Sequence, residues 1–305
     1  MENVIRTYQL NKEFKEETAL QSFDFALQQG EICALIGKNG AGKSTFFKML
    51  SGQIAPTNGE IQLFGKTKNE HARARQRMGF MIEEPKFFGD FTAEQNLEYF
   101  RIQRGVVEKA RISEVLKMVG LSEHTKKKFH QYSMGMKQRL GLALCLLSNP
   151  DCLVLDEPTN GLDPEGINEI RRLLLELNQE RQITILISSH ILSELQLLAN
   201  RFVFIHDGKM VEDISKTDLE NKCKKQLKIK VNDSAKTSQL LERTFRDIDY
   251  RCLVDGWIII HSHVDQGAEI NALLHREGIS VSEVMVEDVT LEDYFLKLVG
   301  GTAND

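Results

Sequence analysis

The sequence predicts an α/β fold. A parallel-sheet core carries an antiparallel arm and an inserted helical subdomain, and a small α+β domain follows. Three observations carry this reading. Short continuous apolar runs at Ile32–Ile36, Cys152–Leu155, Ile183–Ile187 and Phe202–Ile205 suit strands of a parallel sheet buried on both faces. Between Phe91 and Asn149 the pattern is helical only. From Asn221 onward short strands alternate with helices on a finer scale. The expected domains are therefore 1–216, with the helical subdomain at about 91–149, and 221–305.

The first core strand runs into Gly37-Lys38-Asn39-Gly40-Ala41-Gly42-Lys43-Ser44-Thr45, and Thr45 to Leu50 reads as a helix closing at Gly52. Gly, four residues, then Gly-Lys-Ser is the phosphate-binding loop pattern, here between the strand and the helix it requires. Glycines let backbone N–H groups wrap a phosphate. Lys43 adds a point charge for the terminal phosphates, Ser44 a hydroxyl for Mg²⁺, and the helix N-terminus a favourable dipole. The core is thus expected to be a P-loop NTPase sheet that binds a nucleotide.

Gly59 to Phe64 alternates in character and reads as a hairpin arm. Thr92-Ala93-Glu94-Gln95 is a capping box that opens a helix through Leu97, Phe100 and Ile102. A second helix starts near Glu108 and stops at Gly120. A third starts near Ser133 and stops at Asn149-Pro150, because the residue before a proline disfavours helix. The strand Cys152–Leu155 delivers Asp156 and Glu157 to its C-terminal end, where ligands of open α/β sheets sit. Asp156 is placed to hold the metal shell and Glu157 to act as general base on a water. The strand Ile183–Ile187 ends toward His190, within reach of a γ-phosphate. Asp207-Gly208 is a hairpin turn between Phe202–Ile205 and Met210–Val211. After a basic stretch, Lys222–Lys228, read as a solvated linker, the order β-α-β-β-α-β and a final helix, Leu291–Leu298, suggest a ferredoxin-like split unit.

Composition narrows the class. The net charge of −5 gives no reason to expect a nucleic acid partner. Five cysteines, with no pair at metal-ligand or redox spacing, point to free thiols in a reducing compartment. The opening residues from Met1 are no signal peptide, and the longest apolar run, Leu140–Leu147, is far short of a bilayer span. Any membrane role is expected to come through a partner.

Several spaced motifs together resemble the ATP-binding subunit of an ABC transporter. Tyr132-Ser133-Met134-Gly135-Met136-Lys137-Gln138-Arg139 is similar to the family signature, Leu-Ser-Gly-Gly-Gln. Asn160-Gly161-Leu162-Asp163-Pro164 is similar to its D-loop and His190 to its switch histidine. Phe14 stands where the family stacks an aromatic on adenine. The resemblance implies an ATPase that uses ATP and Mg²⁺ and forms a dimer, expected to be a homodimer, in which Ser133 and Gly135 of one chain close over the γ-phosphate held by the other. It also implies a membrane-spanning permease partner, and so a place at the cytoplasmic face of the cell membrane. Tyr132, Met134 and Met136 depart from the usual signature, and Glu83 stands where the family's Q-loop has Gln. These departures, and Thr290-Leu291-Glu292-Asp293-Tyr294-Phe295, resemble the bacitracin and lantibiotic resistance or immunity subgroup of ABC-2-type exporters. Export of an antimicrobial peptide or other hydrophobic compound is the implied function. An exporter of a drug, polysaccharide or ion, and a soluble ABC-type ATPase acting on ribosome or DNA, are the alternatives. Glu83 is expected to bind nucleotide and, with Ser44 and Asp156, to hold Mg²⁺, its charge either offset by the metal or suppressed by an upward pKa shift.

Overall fold

The computed structural model describes residues 2–15, 17–83 and 86–300. The chain divides into two units, Met1–Lys216 and Thr217–Asp305.

The first unit opens with two long strands, β1 (Asn3–Phe14) and β2 (Glu17–Gln28), then β3 (Ile32–Ile36), α1 (Lys43–Ser51) and β4 (Asn58–Leu63). The strands β2-β1-β4 form a three-stranded antiparallel sheet. The segment read as a hairpin arm is therefore β4, and it pairs with β1 rather than with a neighbour in sequence. β1 and β2 escape a period-2 reading because their pairing slips at several points, with left-handed backbone at Gln9 and Ser22 (φ 42° and 44°). Under this arm Phe23 and Phe25 pack on Phe46 of α1, with ring centres 4.9 and 5.4 Å apart.

A short helix, α2 (His71–Arg75), precedes β5 (Met78–Met81), and then the chain enters its helical block: α3 (Ala93–Gln103), α4 (Ala110–Met118) and α5 (Met134–Leu146). Thr92 and Gln95 cap α3 reciprocally, and the Ser133 side chain caps α5. The core resumes with β6 (Cys152–Asp156), α6 (Pro164–Arg181), β7 (Thr184–Ser188), α7 (Leu192–Leu198), β8 (Arg201–His206) and β9 (Lys209–Ser215). The main sheet has six strands in the order β5-β6-β7-β3-β8-β9, all parallel except the last pair. β5 carries only four residues, one of them Gly79, so it gives little periodic signal. That glycine has a packing reason: a Cβ there would lie 2.7 Å from the Cys145 carbonyl oxygen, so its absence lets α5 lie close on the sheet. No helix among the described residues is long and apolar enough to cross a membrane.

The second unit runs α8 (Lys216–Lys222), β10 (Gln226–Val231), α9 (Ser234–Thr244), β11 (Tyr250–Cys252), β12 (Trp257–Ile260), α10 (Gly267–Arg276), β13 (Val281–Glu287) and α11 (Leu291–Leu298). Its sheet order, β11-β12-β10-β13, with every pair antiparallel, is that of a split βαβ unit. Leu227, Ile229, Ile258 and Ile260 pack against Leu241, Ile270 and Leu274 in its core. The basic stretch Lys222–Lys228 is not a solvated linker. Lys222 ends α8, Gln226 and Leu227 are buried in β10, and Lys228 is 2.5 Å from Glu287 on the neighbouring strand. Alternation of Lys with apolar residues along β10 puts the charges on one face and the core residues on the other.

Candidate active site

Chain geometry around the phosphate-binding loop follows from its glycines. A Cβ at Gly37 would meet the Ile205 carbonyl oxygen at 2.5 Å, so the loop can pass β8 only with glycine there. Gly40 and Gly42 take left-handed φ of 82° and 111°. Gly42 is the N-cap of α1 and has no side chain to satisfy the first-turn N–H groups, which leaves them free for an anion. Lys43 is buried, its Nζ donating to the carbonyls of Gly37 (2.6 Å) and Lys38 (3.2 Å). Burial pushes its pKa down, against the opposing pull of Asp156 and Glu157.

The acids stand at the C-terminal edge of the sheet. Ser44 Oγ donates to Asp156 Oδ2 at 2.6 Å, and Ser188 Oγ donates to Asp156 Oδ1 at 2.5 Å. The second contact follows from strand register, because Asp156 of β6 pairs with Ser188 of β7. Glu157 has a left-handed backbone, φ 48°, and its N–H donates to the Ser188 carbonyl at 3.1 Å. His190 Nδ1 lies 3.3 Å from Glu157 Oε2. The structure thus brings Lys43, Ser44, Asp156, Glu157 and His190 into one constellation. Ser188 joins it unforeseen; its signal was a polar residue ending an otherwise apolar strand.

A cavity of about 240 Å³ opens beside these groups, lined by Ser44, Met81, Glu83, Gln138, Asp156, Glu157 and Asn160. Glu83 follows β5 with φ 63°, and its Oε1 is 2.5 Å from Lys48 Nζ on α1. Lys48 draws the Glu83 pKa down. A lysine one turn along α1 thus offsets the Glu83 charge, and the shift is downward. The residues Glu84 and Pro85 lie outside the described residues.

Ser133, Gly135 and Phe14 do not line the cavity. Ser133 Oγ accepts from the Met136 N–H at 3.4 Å, and a Cβ on Gly135 would sit at ordinary contact, 3.5 Å, from Leu162. The unusual Tyr132 is explained by packing: it is buried, and its hydroxyl donates to the His124 carbonyl at 3.0 Å. Met134 lies against Gly161 of the Asn160–Pro164 turn. Phe14 is exposed at the end of β1, with Lys12 Nζ 4.8 Å from its ring centre.

A family model described as ABC transporter matches residues 20–160. Over 303 residues, 99% of each chain, the sequence is 43% identical to the bacitracin transport ATP-binding protein BcrA of Bacillus licheniformis. The chain belongs to the ABC transporter family. It is an ATP-binding subunit of that family, and an ATPase. Over 208 residues this ABC ATPase is also 40% identical to the lantibiotic transport ATP-binding protein SrtF of Streptococcus pyogenes, a match covering 68% of this chain and 89% of that one. Among solved structures, a dimeric ATP-binding cassette in a post-hydrolysis state, bound to ADP and Pi, is similar at 25% identity and TM-score 0.64, covering 70% of this chain and 98% of the other.

Proposed function

We propose that this ABC ATPase powers export of an antimicrobial peptide, or of another hydrophobic compound, through a separate membrane-spanning permease. One observation supports this cargo class: the 43% identity to a bacitracin transport protein. The similarity to the bacitracin transport protein runs through both units of the chain, whereas the cassette structures cover only about the first. The experiment is to express the chain with its permease in a susceptible bacterium and measure inhibitory concentrations of bacitracin and lantibiotics. A several-fold rise that Glu157→Gln abolishes is expected. No rise for any such peptide overturns the cargo assignment.

The site supports a concrete mechanism for hydrolysis. The loop Gly37, Lys38, Asn39, Gly40, Ala41, Gly42, Lys43, Ser44 and Thr45 holds the phosphates, with Lys43 turning from the loop carbonyls to the terminal phosphates. Phe14 stacks on adenine. Ser44 and Asp156 are hard oxygen donors already in contact. That donor set fits Mg²⁺, which binds through one or two protein oxygens plus substrate phosphates. Magnesium held by Ser44 and Asp156 would neutralise charge on the phosphates. Glu157 takes a proton from the attacking water, and His190 holds Glu157 from one side and faces the γ-phosphate from the other.

Ser133 and Gly135 lie away from the cavity of their own chain, so their partner site is on a second copy. Two chains then close head to tail over two ATP molecules, which excludes bulk water. Glu83 senses the nucleotide and, through the helical block it adjoins, passes closure to the permease at the cytoplasmic face of the membrane. Glu83→Ala should uncouple resistance from ATP turnover in the assembled transporter. If both ATPase rate and resistance stay unchanged, Glu83 has no such role.

A further inference from the structure

We propose that Gln138 orients the attacking water from within its own chain, a role that rests on Glu157 being the base. Gln138 lies on α5, two turns before Cys145, whose carbonyl abuts Gly79 of β5. This close packing of α5 on β5 carries Gln138 to the sheet edge, where it lines the cavity with Ser44, Glu83, Asp156 and Glu157. Its side chain belongs to a residue only 6% exposed, and its Oε1 has no hydrogen-bond partner among the described residues. A buried carbonyl oxygen left unpaired costs free energy, so such an atom calls for an occupant that the chain itself does not supply.

The neighbours define that occupant. Glu83, Asp156 and Glu157 offer carboxylates, and the Ser44 hydroxyl is already given to Asp156. Asn160 also lines the cavity, but its amide makes no hydrogen bond to Oε1; among the carboxylates the unpaired acceptor needs a small donor, and water is the donor that fits. The terminal torsion of a glutamine is soft, so Oε1 can turn toward the cavity at little cost. A water held by one acceptor still rotates; a second acceptor fixes it. One O–H then points to Glu157, which takes that proton as the new P–O bond forms and the bond to the ADP oxygen breaks. The other O–H donates to Gln138 Oε1 and keeps its proton. Gln138 is thereby a neutral orienter beside a charged base, and fixed geometry of this kind is worth on the order of ten- to a hundredfold in rate.

The test uses the full-length protein. Gln138→Leu keeps the volume and removes the acceptor, while Gln138→Glu keeps an acceptor. Gln138→Leu should lower kcat about ten- to a hundredfold, with KM for ATP, ATP affinity by titration and melting temperature unchanged. Gln138→Glu should recover much of the rate and add an acidic limb to the rate–pH profile, because protonation replaces one acceptor with a donor. The double variant with Glu157→Gln should turn over about as slowly as Glu157→Gln alone, since both act on one water. Wild-type kcat in Gln138→Leu, or a fall in ATP affinity and melting temperature that matches the fall in kcat, overturns the proposal. If Gln138→Leu fails to fold, the rate and pH profile of Gln138→Glu decide. Undiminished hydrolysis by Glu157→Gln would instead remove the base, a separate failure.

Discussion

Ser44 donates its hydroxyl to Asp156 across 2.6 Å of space and 112 positions of chain. The contact ties the first turn of α1 to the end of β6. Asp156→Asn keeps the shape but removes the charge that a metal needs. We expect it to weaken the Mg²⁺ dependence of ATP binding and to reduce hydrolysis at least a hundredfold, on the order seen when a main electrostatic group is lost. Magnesium titrations of ATP binding, compared with wild type, check this.

Lys43 is held in the folded chain at a depressed pKa because it is buried. The folded chain therefore binds this proton less tightly than the unfolded chain, and between the two pKa values stability rises with pH. Lys43→Met should leave the nucleotide-free protein at least as stable as wild type, most clearly below that window. The same variant should lose stabilisation by ATP, worth about 2.7 kcal/mol at a hundred times Kd. Thermal melts with and without ATP separate the two effects. A large drop in melting temperature without ATP would show that Lys43 is needed for the fold itself.

The Lys48–Glu83 pair is solvent-facing, and Lys48 holds the Glu83 carboxyl below the usual carboxylate range. A depressed carboxyl pKa contributes stability that is present above the unfolded value and lost as pH falls through the folded one. The pair should thus persist at neutral pH and open only in acid or high salt. Glu83→Gln should move the melting temperature little, as exposed ion pairs do, while changing ATP-dependent coupling to the permease. NMR titration of the Glu83 carboxyl carbon follows the pair directly.

Gly135 and Gly79 give opposite forecasts for the same change. A Cβ at Gly135 meets Leu162 at ordinary contact distance, so Gly135→Ala should melt like wild type yet hydrolyse more slowly, the defect lying at the second copy. A Cβ at Gly79 would overlap the Cys145 carbonyl, so Gly79→Ala should lose about 1–3 kcal/mol by overpacking. Denaturant melts alongside ATPase assays on both variants distinguish them. Equal loss of stability in both would contradict the assignment of Gly135 to an interface.

Much of the main sheet was legible because buried parallel strands are short apolar runs with punctuation at their ends. Thr92, Ser133 and Gly52 marked helix ends by cap chemistry, as the structure has them. The loop and its acids were legible because their chemistry needs fixed residue types at fixed spacing. Other features had no local signal. Pairing slips at Gln9 and Ser22 hid β1 and β2. Lys48 looked like any charge on an amphipathic helix, and its pairing with Glu83 comes from packing alone. Gln138 sat inside a motif read for Ser133 and Gly135, and only the cavity sets it apart.

Glu157 sits in a left-handed backbone conformation that side-chain-bearing residues avoid, at a cost of about 1–3 kcal/mol. Glycine or asparagine would occupy that position more comfortably. Either substitution should give a sturdier protein that, on the proposed role of Glu157, binds nucleotide without turning it over. On the proposed role of Glu157 as base, the strain at this position is a cost in stability that hydrolysis sets against the fold.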